Sequence, residues 1–251
     1  MNLAGVQVNP LTLPILLAQG WWVRRVTPRL PDATGPIEGC WEGAQPGFDL
    51  VVIGESPVAG IGAPTHREAL TGQVAFALRQ MTGQAVRWLA LGQSGATVRA
   101  ATEQLVPHLA GRRADAAVVA FGVNDSLKQR AAEEWKRDLR QMITAIRNQV
   151  GAVPIVLAGV PPLNEFPAFP QRLGQFLGTR SALLNQASRV VEAEMVAVEY
   201  APMVGNLGSA DFCEDRFHPS VSGYAAWGTY LAQLLSAQLT DKPGNRALPV
   251  G

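Results

Sequence analysis

Residues far apart in the sequence carry the groups that acyl transfer needs. Ser56 supplies a hydroxyl in Gly54-Glu55-Ser56-Pro57, and Asp215 and His218 stand three residues apart in Glu214-Asp215-Arg216-Phe217-His218-Pro219. Asn124 lies in Gly122-Val123-Asn124-Asp125, and Gly95 in the small-residue stretch Gly92-Gln93-Ser94-Gly95-Ala96. A serine hydroxyl is a weak nucleophile until a base takes its proton, and the base works best when a third group orients it. A three-residue offset in irregular backbone suits a carboxylate that reaches Nδ1 of His218 and leaves Nε2 free for a hydroxyl, and Pro219 stiffens the loop. Glu214 is the second choice for orienter, being longer and differently spaced. The Asn124 amide and the backbone N–H groups of Gly95 and Ser56 are candidate donors to an oxyanion. Each stretch also has a plainer reading, because Gly, Ser, Asn and Pro form turns for reasons unrelated to chemistry. The other histidines, His66 at the start of a helix and His108 near the end of one, read as solvated or capping side chains.

Pro57 restricts the kind of site Ser56 can belong to. In the G-x-S-x-G elbow of α/β-hydrolases the residue after the nucleophile donates its backbone N–H to the oxyanion. Proline has no N–H, and position 58 is valine rather than glycine. Oxyanion donors must therefore come from other groups at the same edge.

The elements that would position these residues alternate in type. Phe48 to Ile53, Ala85 to Leu91, Asp115 to Phe121, Pro154 to Val160 and Val196 to Tyr200 are short apolar runs expected as five strands. Between them, helical spacing appears in Leu70, Val74, Leu78 and Met81, with Gly83 at the C-terminal cap position, and in Ala101, Leu105 and Leu109. It recurs in Trp135, Leu139, Ile143, Ile146 and Val150, in Leu183, Leu184, Val190 and Val191, and in a closing helix from about Val221 to Leu239. Such βαβ alternation predicts an α/β fold with a five-stranded parallel sheet and helices on both faces. Every loop that follows a strand then opens on one edge, which gathers Ser56, Gly95, Asn124 and the Asp215 to His218 stretch. Leu163, Phe166 and Phe169, in the proline-rich loop after the fourth strand, are candidate walls of an acyl pocket or, equally, cover for the sheet edge.

Composition bounds the rest. With 251 residues, 47% hydrophobic and 16% charged, the chain can bury a full core in one domain, and a formal net charge of +1 leaves no electrostatic footprint for nucleic acid. Cys40 and Cys213 form neither a disulfide framework nor a zinc site; two buried free thiols are expected, with a single bridge as the alternative. No metal or other cofactor is expected. Residues 48–240 read as the domain, 1–47 as an arm and linker packed on it, and 241–251 as a flexible tail. In the arm, Leu11 to Val23 is shorter than the ~20 residues that span a bilayer and contains Pro14 and Gly20. No basic residue precedes it, as a secretory leader would require. The cytoplasm is the expected location. An interfacial anchor, with Trp21 and Trp22 at headgroup depth and Arg24 and Arg25 beside phosphates, is the alternative to a packed arm. Prolines 28, 31, 36 and 46 argue against regular structure from Arg24 to Gly47.

Taken together, the blocks resemble the SGNH hydrolases, also called GDSL esterases and lipases. Gly54-Glu55-Ser56 is similar to the family's first block, Ser94-Gly95-Ala96-Thr97 to its second, Gly122-Val123-Asn124-Asp125 to its third and Asp215-Arg216-Phe217-His218-Pro219 to its last, in the family's order from Phe48 to about Leu239. The resemblance implies a flavodoxin-like three-layer α/β/α sandwich, a Ser56, His218 and Asp215 triad, an oxyanion hole from Ser56, Gly95 and Asn124, and a small-molecule ester as substrate. The arm through Arg29-Leu30-Pro31 looks like that of a bacterial subgroup of esterases. Family members usually carry Asp where this chain has Glu55, so the hydrogen bonds of that turn are expected to be rearranged.

Overall fold

The computed structural model describes residues 2–3, 5–203 and 208–240; the expected tail, 241–251, lies outside them. A short antiparallel pair, β1 (Asn2–Leu3) and β2 (Val6–Gln7), precedes the helix α1 (Leu13–Val26). There follow β3 (Glu38–Trp41), β4 (Ala44–Gly54), α2 (Ser56–Ala59), α3 (Leu70–Thr82), β5 (Gln84–Gly92), α4 (Val98–Gln104) and β6 (Ala116–Ala120). The chain continues through α5 (Val123–Leu127), α6 (Ala132–Val150), β7 (Ile155–Ala158), α7 (Gln171–Glu194), β8 (Val198–Ala201) and α8 (Val221–Thr240).

Six strands form one sheet in the order β3-β5-β4-β6-β7-β8. The pairings among β5, β4, β6, β7 and β8 are parallel, and β3 is antiparallel to β5. The five parallel strands are those expected, in the flavodoxin-like order. Their connection reverses direction between β4 and β6, and such a switch point opens a crevice beyond the strand ends. Side chains alternate faces along a strand, so β4 feeds two cores. Val51 and Ile53 pack with Leu139, Ile143 and Ile146 of α6, while Leu50 and Val52 pack with Val74 and Leu78 of α3 and Leu231 and Leu235 of α8. Gly54 ends the strand where backbone comes close: a Cβ there would lie 2.6 Å from the Ala120 carbonyl oxygen and 2.4 Å from Val58 Cγ2.

The arm departs from expectation. Pro14 does not interrupt α1 but sits in its first turn, where a missing N–H costs nothing. The segment expected to lack regular structure contains β3, whose proline-free residues pair with the edge of β5. Pro46 falls within a register shift between Ala44 and Phe48, the kind of irregularity that tolerates proline in a strand. Trp41 of β3 donates its indole N–H to the Gly72 carbonyl at 2.9 Å, and the Arg67 guanidinium lies 3.5 Å from its ring centroid. The expected helix through Ala101 and Leu109 is also two pieces, with a 3-10 turn at Val106–Leu109 that accommodates Pro107.

Other side chains differ from expectation as well. His66 is buried rather than solvated, 7% exposed, and its backbone N–H reaches the Thr34 carbonyl at 3.4 Å. His108 is exposed in the 3-10 turn. Cys40 and Cys213 are unbridged and half-buried rather than buried.

Candidate active site

Ser56 follows the last residue of β4 by two positions and is the first residue of α2. An N–H in the first turn of a helix has no intrahelical acceptor, so that of Ser56 is not spent on the helix. Pro57 at the next position costs the helix nothing. The hydroxyl lies half-buried at the switch point between β4 and β6.

His218 and Asp215 come from the loop before α8. Its ends are clamped as a small antiparallel bridge between Phe212 and Pro219, with Cys213 N–H donating to the His218 carbonyl at 2.8 Å. Between them Arg216 adopts φ 58°, a left-handed backbone costly for a residue with a Cβ. That turn brings Asp215 under the imidazole. Asp215 Oδ2 lies 2.6 Å from His218 Nδ1, and Oδ1 accepts the backbone N–H of Phe217 at 3.0 Å and of His218 at 2.9 Å. Burial pushes the Asp215 carboxyl up, but the bonds from the His218 ring, these two backbone groups and the nearby His218 charge outweigh it and hold the carboxyl below its usual range. His218 Nε2 lies 3.1 Å from Ser56 Oγ. Glu214 is exposed, and Asp215 is the carboxylate at the imidazole.

An aromatic cluster braces this loop. Phe217 packs edge-on to His218 with centroids 4.8 Å apart and to Phe166 at 5.5 Å, and Phe166 also meets Phe212 at 5.1 Å and stacks with Phe169 at 6.0 Å. The structure therefore separates the three residues proposed for an acyl wall. Phe166 lines the cavity beside Ser56, whereas Leu163 is fully buried behind it and Phe169 faces a neighbouring groove. The cavity has a volume of about 230 Å³ and runs from Ser56 and His218 past Phe121, Met203 and Phe212 to Trp227 and Tyr230 of α8. No sequence signal marked α8 as a wall, because its cavity-facing residues share the apolar texture of its core face.

The loops that hold the candidate oxyanion donors are tied to one another. Glu55 N–H donates to the Ala120 carbonyl at 3.1 Å, Gln93 N–H to the Gly54 carbonyl at 3.1 Å, and Lys128 Nζ to the Gly95 carbonyl at 2.9 Å. Gly95 takes φ 79°, a turn conformation that glycine adopts without strain. Asp125, fully buried, accepts the Val98 N–H at 3.3 Å and so links the Asn124 block to the helix after the Gly95 loop. Burial raises the Asp125 carboxyl to about 6, against the pull of that N–H and of Arg130.

Glu55 makes the least expected contact. Its carboxyl, 3% exposed, reaches across to the Asn124 block, where Oε1 accepts Val123 N–H at 2.9 Å and Oε2 accepts Asn124 N–H at 3.0 Å together with a side-chain N–H of Asn124. The longer side chain thus bridges two of the loops. Its carboxyl is pushed up to about 8 by burial, which outweighs the Asn124 and Val123 N–H groups that favour the charged form. A primary amide carries two N–H groups, so the bond to Glu55 orients Asn124 and leaves a second N–H for a ligand.

The Ser56 hydroxyl, the His218 imidazole and the Asp215 carboxylate thus stand in hydrogen-bond sequence beside an apolar cavity. The family described as GDSL-like lipase/acylhydrolase matches residues 52–226, the stretch that carries Ser56, Gly95, Asn124, Asp215 and His218. The chain belongs to that family. A search of curated proteins finds no match. The GDSL-like domain is similar in fold to the crystal structure of TesA, with 19% identity and a TM-score of 0.59 over 77% of this chain and 98% of the other. It is similar to a lipase/acylhydrolase from Enterococcus faecalis, with 20% identity and a TM-score of 0.55 over 78% and 98%. A Clostridium thermocellum family 3 carbohydrate esterase matches at 16% identity and a TM-score of 0.59 over 76% and 98%. As a GDSL-like fold the chain has its parallel sheet flanked by helices, and among its described residues no three His, Cys, Asp or Glu side chains gather as metal ligands.

Proposed function

We propose that the chain is a serine esterase that hydrolyses carboxylic esters bearing an apolar acyl group. The observation that carries this reading is the continuous relay from Asp215 Oδ2 to His218 Nδ1 at 2.6 Å and from His218 Nε2 to Ser56 Oγ at 3.1 Å. Ser56 Oγ attacks the ester carbonyl as His218 Nε2 takes its proton. Asp215 keeps Nδ1 protonated and stabilises the imidazolium without accepting the proton itself. The tetrahedral oxyanion is held by the Asn124 amide and the N–H groups of Ser56 and Gly95. Collapse expels the alcohol, which takes the proton back from His218 and leaves an acyl-Ser56. Water, deprotonated by the same imidazole, then attacks the acyl carbonyl, the acid departs and Oγ regains its proton. The acyl group lies against Phe121, Phe166 and Trp227 in the cavity.

The test is a series of aryl esters of graded acyl length, with products analysed in the presence and absence of a small alcohol. Release of free acid that rises with acyl length and then falls supports the reading. Transfer of the acyl group to the alcohol in preference to water makes the enzyme an acyltransferase with the same residues, and no turnover of any ester removes the proposal.

A further inference from the structure

We propose that the outer face of α1 docks onto the surface of an anionic lipid bilayer. The helix has two unlike sides. On the inner side Val23 is buried with Leu163, Phe166 and Phe212, and Gln19 Oε1 accepts the Leu173 N–H at 3.0 Å, satisfying an orphan amide in the first turn of α7. The outer side carries Ile15, Trp22 and Val26, spaced 7 and 4 apart and hence in one row, and Leu11 stands in the 3-10 turn that leads into the helix. Ile15, Trp22, Val26 and Leu11 are 40%, 49%, 49% and 82% exposed, and Leu17 and Trp21, along the other edge of the same outward-facing half, are each 64% exposed, with Pro14, Ala18 and Arg25 exposed between the two rows. Among the thirteen exposed large hydrophobic side chains of the described residues, five lie on α1 and Leu11 stands in the turn before it. Scattered exposed apolar residues need no explanation, but a contiguous patch does.

Charge selects the occupant. Arg24, Arg25 and Arg29 are exposed on and just beyond the helix, and no Asp or Glu occurs before Asp32. The Arg25 guanidinium lies 5.5 Å from the Trp21 ring centroid, pairing a cation with an aromatic between the two apolar rows. Tryptophan beside arginine on an apolar helix face suits the boundary between acyl chains and anionic headgroups. At 14 residues, or about 21 Å, α1 falls short of the ~30 Å hydrocarbon core and would lie flat rather than span it. Among the described residues no helix is long and apolar enough to cross a membrane. Trp22 and Val26 also line a groove with Phe169, Glu214, Asp215 and Arg216. Docking would set the lipid surface beside the loop that carries Asp215 and His218.

The experiment is co-sedimentation of the full chain with vesicles of phosphatidylcholine alone and with added phosphatidylglycerol, read without turnover, so that its failure leaves the esterase reading intact. The wild type should bind the anionic vesicles more tightly and lose binding in high salt. Arg24→Gln with Arg25→Gln should weaken anionic binding on the order of 30-fold. Leu11→Ser, Ile15→Ser and Trp22→Ser together should weaken binding to both vesicle types at least tenfold, with hydrolysis of a soluble aryl acetate and melting temperature retained. If the triple variant does not fold, the arginine pair decides alone. Absence of vesicle binding, or binding that the variants leave unchanged, overturns the proposal. So does a wild-type dimer in light scattering that the apolar variant converts to monomer, since the outer face would then meet a second copy.

Discussion

Replacing Glu55 by Gln should flatten the fall of stability with pH between 6 and 8. The carboxyl is buried, and its folded value is raised from 4.5 to about 8. A group raised on folding stabilises fully below its unfolded value, and that contribution is lost as pH rises through the folded value, because the folded state must then surrender a proton the unfolded chain has already lost. Between pH 6 and pH 8 one such group removes about 2 kcal/mol, at 1.36 kcal/mol for each unit over which only the folded state holds the proton. For a domain of this size that is a drop of roughly 4–8 °C in melting temperature. Gln keeps the volume and has no proton to lose, so its melting temperature should change less by that amount. Asp215, lowered, titrates in both proteins and cancels in the difference, whereas Asp125, also raised, is one of the charges that push the Glu55 carboxyl up, so the variant eases its ionisation as well. The assay is thermal unfolding by circular dichroism at pH 6, 7 and 8 at matched ionic strength. Parallel curves for wild type and variant, or a variant that falls more steeply, would refute the assignment of a raised, buried carboxyl to Glu55.

Other substitutions separate roles that the geometry brings together. Asn124→Ala should lower kcat by roughly 10²–10³ with KM little changed, as expected of a donor that acts in the transition state. Asn124→Asp should be at least as damaging, by setting a carboxylate against both the oxyanion and Glu55; near-normal kcat for it would exclude the donor role. Ala226→Trp, at an exposed position on the cavity wall, should lower kcat/KM for long acyl esters by more than tenfold while sparing acetate, and an equal loss for both would place the acyl chain elsewhere. Removing residues before Phe48 strips β3 from the edge of β5 and should lower the melting temperature well beyond removal of residues before Thr27 alone; equal effects would mean that β3 contributes nothing.

The parallel core was legible because buried parallel strands read as apolar runs: β6 and β7 are wholly apolar, and β4, β5 and β8 are interrupted only near their ends or by single charges at Asp49, Arg87 and Glu199. The loops after them were legible because one topology sends them all to the same edge, so the placement of Ser56, Asn124 and His218 followed from order alone. The arm was not legible in the same way. Prolines 28, 31, 36 and 46 punctuate it, yet Glu38 to Trp41 between them finds a free strand edge, a tertiary opportunity that local sequence does not announce. Nor could the sequence reveal the bridge from Glu55 to Asn124, since the two are 69 positions apart and a buried carboxyl is known by its partners. Phe217 reads as a spacer between Asp215 and His218, but its ring braces the imidazole through the cluster around Phe166. The place of His66 near a helix start says nothing of its burial or of the backbone bond to Thr34, more than thirty positions earlier.

Ser56 Oγ as nucleophile is tested by covalent capture with a fluorophosphonate, the adduct being located by mass spectrometry. One adduct is expected on Ser56 in the wild type and none in Ser56→Ala, with the variant's melting temperature retained and its ester hydrolysis abolished. Labelling of Ser56→Ala at the wild-type rate, or an adduct on any other residue of the wild type, would contradict that role.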